Sequence, residues 1–136
     1  MKSNIRRTLT HAVVERIAAP LQAIASPQRV AILLAIGKGE ACVCHLEAAL
    51  GWRQPYLSQH LMELRSAGIL KHRREGRYIF YRLSDESMLE LVSVSARLGR
   101  VRMPAETAGS GSRRKASCPC PQCNPAPSTI GEQRSV

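Results

Sequence analysis

The stretch Gly51-Trp52-Arg53-Gln54-Pro55-Tyr56-Leu57-Ser58-Gln59-His60-Leu61 decides the fold. Pro55 opens a helix, where a missing N–H leaves nothing unpaired. Leu57, Leu61 and Leu64 then form a single buried stripe. Ahead of it, Leu46 and Leu50 stand at i, i+4 spacing in a short segment that begins near Glu40. Gly51-Trp52 makes the tight turn between the two, and Ala67-Gly68 closes the second. Two helices joined by a short glycine-containing turn form a helix-turn-helix.

Downstream, Ile69 to Arg74 and Arg77 to Leu83 read as the arms of a hairpin, with Glu75-Gly76 as its two-residue turn. Ser84 is placed to cap a last helix, with Asp85 and Glu86 in its first turn and Met88, Leu91 and Val92 on its apolar side. Upstream, Ser26-Pro27 caps and opens a helix carrying Val30, Leu33 and Leu34, which ends at Gly37 and Gly39. Val13, Ile17, Leu21 and Ile24 predict an earlier helix, with a break or restart at Pro20. The expected fold is mainly α with a β-hairpin wing, a winged helix-turn-helix.

The composition agrees. The chain is 44% hydrophobic but only 4% aromatic, so its core is built from Leu, Ile, Val and Ala, which favours helices over a sandwich. The net charge of +10 is large for 15.0 kDa and calls for a polyanionic partner. Residues 1–100 carry 15 basic and 8 acidic side chains, so most of the excess lies in the folded part. Past Arg100 the sequence turns to Pro, Gly, Ser and Ala. We therefore divide it into a folded unit over 1–100 and a flexible Cys/Pro-rich tail over 101–136. No apolar run is long enough to span a membrane, and no signal peptide is read at the N-terminus. The expected compartment is the cytoplasm, where thiols stay reduced.

Arg53, Gln54, Ser58, Gln59 and His60 put polar groups at the start of the second helix, where they can reach base edges. Tyr56 and Leu57 are candidates for a thymine methyl, or for packing beneath the helix. The hairpin adds Arg73, Arg74 and Arg77, suited to flanking phosphate. The expected partner is double-stranded DNA.

Five cysteines fall in two clusters, Cys42 with Cys44 and Cys118, Cys120 with Cys123. In a reducing compartment this argues for metal binding or redox sensing rather than a disulfide framework. On a regular helix, Cys42 and Cys44 would point about 200° apart. Joint binding of one ion would then require unwinding of the first turn, beside the reading helix. The tail cysteines can reach them, since roughly 20 flexible residues span about 25 Å. They either complete that site or form their own. Cys120-Pro121-Gln122-Cys123 has a CxxC spacing, but its Pro-rich setting speaks against thiol oxidoreductase chemistry, and no enzyme is expected.

Residues 26–83 resemble the ArsR/SmtB family of metal-responsive winged-helix repressors. The resemblance is carried by Ser26-Pro27-Gln28-Arg29, Glu40-Ala41-Cys42-Val43-Cys44-His45-Leu46, Gln54 to Leu61, Leu64-Arg65-Ser66-Ala67-Gly68 and Arg74-Glu75-Gly76-Arg77. It implies a homodimer built on the first and last helices, a palindromic operator, and release when a metal or metalloid binds. It also makes Cys42 and Cys44 soft-metal ligands. The family's arsenic sensors often carry a third cysteine on this helix, and here His45 to Leu50 offer none. Three sulfurs suit As(III) or Pb(II), and four suit Cd(II) or Zn(II). As(III) or Sb(III) is the first-ranked inducer. The same fold with persulfide- or oxidant-responsive cysteines is the alternative. A zinc or nickel site on the last helix is set aside, because residues 84–98 hold no histidine.

Overall fold

The computed structural model describes residues 9–103. Helix α1 spans His11–Ile24, capped by the Thr10 hydroxyl, which accepts from the Val13 amide. It runs through Pro20 without the expected break. The proline leaves the Arg16 carbonyl without its helical donor, but both sit on a largely solvent-exposed helix where water can serve that carbonyl. Of the predicted stripe, Val13, Ile17 and Leu21 are exposed and only Ile24 is buried.

Helix α2 (Pro27–Ile36) starts as expected, with Ser26 extended at the cap and Pro27 first in the helix. Ile32, Leu33 and Ile36 face the core, and Gly37 ends the helix at φ 61 with its amide bonded to the Leu33 carbonyl. A short strand follows that the sequence reading did not include, β1 (Glu40–Cys42). Helix α3 (Val43–Leu50) leads through the left-handed Gly51 (φ 68) to α4 (Gln54–Ser66). Leu57, Leu61 and Leu64 are fully buried, as their spacing requires. Gly68 at φ 76 then turns the chain, with its amide on the Arg65 carbonyl and the Ile69 amide on the Leu64 carbonyl. These two bonds are a Schellman motif, and buried Leu64 and Ile69 supply its hydrophobic contact.

Strands β2 (Leu70–Glu75) and β3 (Tyr78–Leu83) form the wing. Glu75 pairs with Tyr78, so the turn is Gly76-Arg77, one residue later than expected. Gly76 has a positive φ of 58 and Arg77 does not, the pattern of a type II′ turn with glycine first. The sheet order is β1-β3-β2, antiparallel throughout. The last helix, α5 (Ser87–Leu98), begins later than Ser84. The Asp85 carboxylate takes both the amide and the hydroxyl of Ser87, at 2.9 and 2.7 Å. It does the capping that the sequence reading assigned to Ser84.

The main core lies among α2, α3, α4, the buried side of α5 (Met88, Val92), the end of α1 (Ile24) and the sheet face bearing Ala41, Leu70, Tyr81 and Leu83. The opposite sheet face holds a second, smaller cluster: Cys42 and Phe80, with Cys44 and Tyr78 beside them.

Candidate functional site

Helix α4 buries one side and offers the other. With Leu57, Leu61 and Leu64 inward, 100° per residue puts Gln59 opposite them and Gln54 and Ser58 on one flank. Arg53 precedes the first turn, which has no acidic residue to repel phosphate or oppose the helix dipole. The other flank carries Tyr56 and His60. Tyr56 is 44% exposed and braced edge-on by Trp52 (5.4 Å between centroids) and His60 (4.8 Å). His60 is half-buried, with its Nδ1 enclosed, so it props Tyr56 more than it reaches outward. Leu57 is a correction: it is 0% exposed and belongs to the core, not to a DNA surface. Its place in the inward stripe was visible in the spacing.

The wing is equally selective. Arg74 and Arg77 are exposed near its tip, and Arg77 lies over the Tyr78 ring at 5.5 Å. Arg73 is engaged differently. Its guanidinium is paired to Glu40 of β1 at 2.8 Å and to Glu75 at 2.9 Å, and sits 4.4 Å from the centre of the Phe80 ring. The hydrogen bonds to Glu75 and Glu40 raise its pKa above the ordinary arginine value. The charge is permanent but largely answered within the protein. Arg73 is therefore poorly placed to neutralise phosphate, unlike the role first assigned to it.

The thiol pair sits between helix-turn-helix and wing. Cys42 ends β1, opposite Phe80 in the ladder, and is also the cap residue of α3. Its backbone is extended (φ −76, ψ 160) and its Sγ accepts from the His45 amide at 3.3 Å. Cys44 lies in the first turn. Because Cys42 stands outside the helix, the 200° argument fails: the two Sγ atoms already converge at 2.8 Å without any unwinding. Cys42 is buried and Cys44 half-buried, and neither is in a disulfide. Among the described residues no group of three His, Cys, Asp or Glu side chains gathers around one point, so the pair offers two soft donors and needs a third from elsewhere. Cys118, Cys120 and Cys123 lie outside the described residues.

A buried-stripe helix with a polar outer face, set behind a cationic hairpin, defines a winged helix-turn-helix DNA-binding protein. The profile of the family described as "Bacterial regulatory protein, arsR family" matches residues 26–72. The "Biofilm growth-associated repressor" of Xylella fastidiosa is 34% identical over 97 residues, covering 68% of this chain and 85% of that one. This chain belongs to the ArsR/SmtB family.

The "HTH-type transcriptional repressor SmtB" of Mycobacterium tuberculosis is 42% identical over 72 residues, 53% of each chain, so this chain spans about half of that relative's length. The "Arsenic resistance transcriptional regulator ArsR1" of Pseudomonas putida is 52% identical over 54 residues, 40% of this chain and 42% of that one. Among solved structures, NolR from Sinorhizobium fredii superposes with a TM-score of 0.60 at 32% identity, covering 68% of this chain and 92% of NolR. A Mycobacterium bovis fragment, titled a homodimeric winged helix-turn-helix DNA-binding domain, gives 0.58 at 28%, covering 65% and 82%. These relatives are named as regulators and repressors, not as enzymes.

Proposed function

We propose that this chain is a cytoplasmic, homodimeric transcriptional repressor that leaves its operator when a thiophilic ion binds Cys42 and Cys44. The observation that carries the reading is the close approach of the two sulfurs where β1 meets α3, one on the strand that pairs with the wing's β3 and the other on the helix-turn-helix. Two convergent soft donors favour As(III) or Sb(III), then Cd(II), Pb(II) or Zn(II). The names of the arsenic-resistance relatives support that order. The third donor is assigned to Cys118, Cys120 or Cys123, from the same subunit or its partner. When bound, the ion supplies a cross-link among thiolates. The protein's part is to hold the sulfurs together and to carry the change to the DNA-facing elements.

Gln54, Ser58 and Gln59 read base edges of a palindromic operator, Tyr56 meets a thymine methyl, and Arg53, Arg74 and Arg77 hold phosphate. The exposed apolar residues of α1 and α5, with Ile17 56% and Leu98 81% exposed, support dimerisation through those helices. That no helix among the described residues is long and apolar enough to cross a membrane is compatible with this reading.

A second reading rests on the same sulfur contact. An oxidant or persulfide that accepts two electrons would join the thiols covalently, with loss of two protons. The two are separated by one experiment. Reduced full-length protein, bound to a labelled duplex selected from a random pool, is titrated with arsenite, antimonite, cadmium, lead and zinc while anisotropy is followed. The expected result is release by at least one ion, lost in Cys42→Ser and Cys44→Ser variants that still bind the duplex. Failure of every ion to release the duplex overturns the metal reading, and a mass change on exposure to persulfide would establish the second.

A further inference from the structure

The sulfur pair touches the wing more directly than it touches the reading helix. Cys42, Phe80 and Arg73 occupy one cross-strand row of the sheet, from β1 through β3 to β2. Cys42 and Phe80 are each 1% exposed, on the sheet face away from the main core. Arg73 closes the row from outside. Its guanidinium lies on the Phe80 ring and reaches over β3 to Glu40, which precedes Cys42 by two residues on the same face of β1. The third contact, to Glu75, fixes it to the end of its own strand beside the turn.

An ion with bonds of about 2.3 Å to both sulfurs at a tetrahedral angle needs them about 3.8 Å apart. The ion thus fixes the separation of the pair and brings a further ligand to its side, and its entry must be taken up by whatever packs against the sulfurs. Cys42 has no free side on which to give: its backbone is held in the ladder, its Sγ caps α3, and Phe80 lies against it. Displacement on this side therefore falls on Phe80, and through it on the guanidinium stacked above.

We infer that Arg73 is a positioning residue that couples occupancy of the Cys42–Cys44 pair to the pose of the wing. Unseating it breaks the tie between β2 and β1 and moves Arg74 and Arg77 off phosphate. The inference rests on the proposed function and adds the route by which release happens. Packed rows of this kind switch between arrangements rather than stretch, and coupling between two such sites commonly amounts to roughly 5- to 150-fold in affinity.

The test compares full-length protein with Arg73→Ala and Glu40→Gln. Cd(II) binding is read from thiolate-to-metal absorbance, and duplex affinity is measured with and without saturating Cd(II). The coupling is the ratio of the two duplex affinities. We expect both variants to bind Cd(II) with unchanged stoichiometry and the ratio to fall at least fivefold towards one. An unchanged ratio, with both binding reactions intact, overturns the inference and leaves the proposed function standing. If Cd(II) binds the parent without releasing the duplex, the same ratio is read with whichever of the other four ions does release it, and release by none of them overturns both. If Arg73→Ala weakens duplex binding too far to measure a ratio, Glu40→Gln decides, since it removes one tether and no cation.

Discussion

Arg29 of α2 is ion-paired with Glu63 of α4, and the same guanidinium donates to the Ala23 carbonyl near the end of α1 at 2.9 Å. One side chain thus pins the helix that would read DNA to the first two helices of the fold. Arg29→Leu should lower stability by about 1–2 kcal/mol, since the pair is only partly shielded from solvent. It should also raise amide exchange in α4 more than in the wing. Uniform exchange across both would remove the pinning role.

Leu57 and Gln59 stand two residues apart on one helix with opposite duties. Leu57→Ala should cost about 2–5 kcal/mol of stability. The fraction that stays folded should keep its sequence preference. Gln59→Ala should leave the melting temperature in place and relax preference at one operator position by about 1–3 kcal/mol. Mutant-duplex panels read by anisotropy would expose an exchange of these roles.

The wing arginines are not equivalent. Arg74→Ala and Arg77→Ala should each weaken binding on all sequences and reduce the slope of log affinity against log salt by about one. Arg73, answered by Glu40 and Glu75, should change that slope by clearly less. Three equal slopes would show that Arg73 also meets phosphate in the complex.

Ile17 and Leu98 present apolar surface that the described residues leave open. Ile17→Lys and Leu98→Glu should shift the protein from dimer to monomer in sedimentation and weaken duplex binding together with it. Dimers that persist in both variants would place the interface elsewhere.

Hydrogen bonds from the Ser87 hydroxyl and amide hold the Asp85 carboxyl below the ordinary aspartate value. Its stabilisation of α5 is therefore complete above the unfolded pKa, about 3.9. It is lost as pH falls through the lower folded value. Asp85→Asn keeps a capping acceptor but cannot titrate. Its helix signal between pH 5 and 2 should fall less than the parent's, and identical curves would contradict the assignment.

The helices and the wing were legible because their signals are local. Leucine spacing, Ser26-Pro27, Gly51 and Ala67-Gly68 each act over a few residues. Strand β1 was not, because three residues have no period to read and their pairing partner lies 40 positions away. That omission concealed the thiol geometry. Without β1, Cys42 reads as a helix residue pointing away from Cys44; as the last residue of a strand and the cap of a helix, it points towards it. The roles of Arg73 and His60 were likewise out of reach, since Glu40 and Trp52 meet them only in three dimensions.

The alternation of β1 has a consequence for how this segment can vary. Ala41 faces the main core and Cys42 the opposite side, in register with Tyr81 and Phe80. Inserting or deleting one residue between Gly37 and Cys42 has two outcomes. Either the loop absorbs the change, or every side chain on the strand swaps faces, burying the thiol in the wrong half of the molecule. Lineages of this protein should therefore tolerate substitution of Lys38 and Gly39 while holding the count of residues between α2 and the cysteine pair.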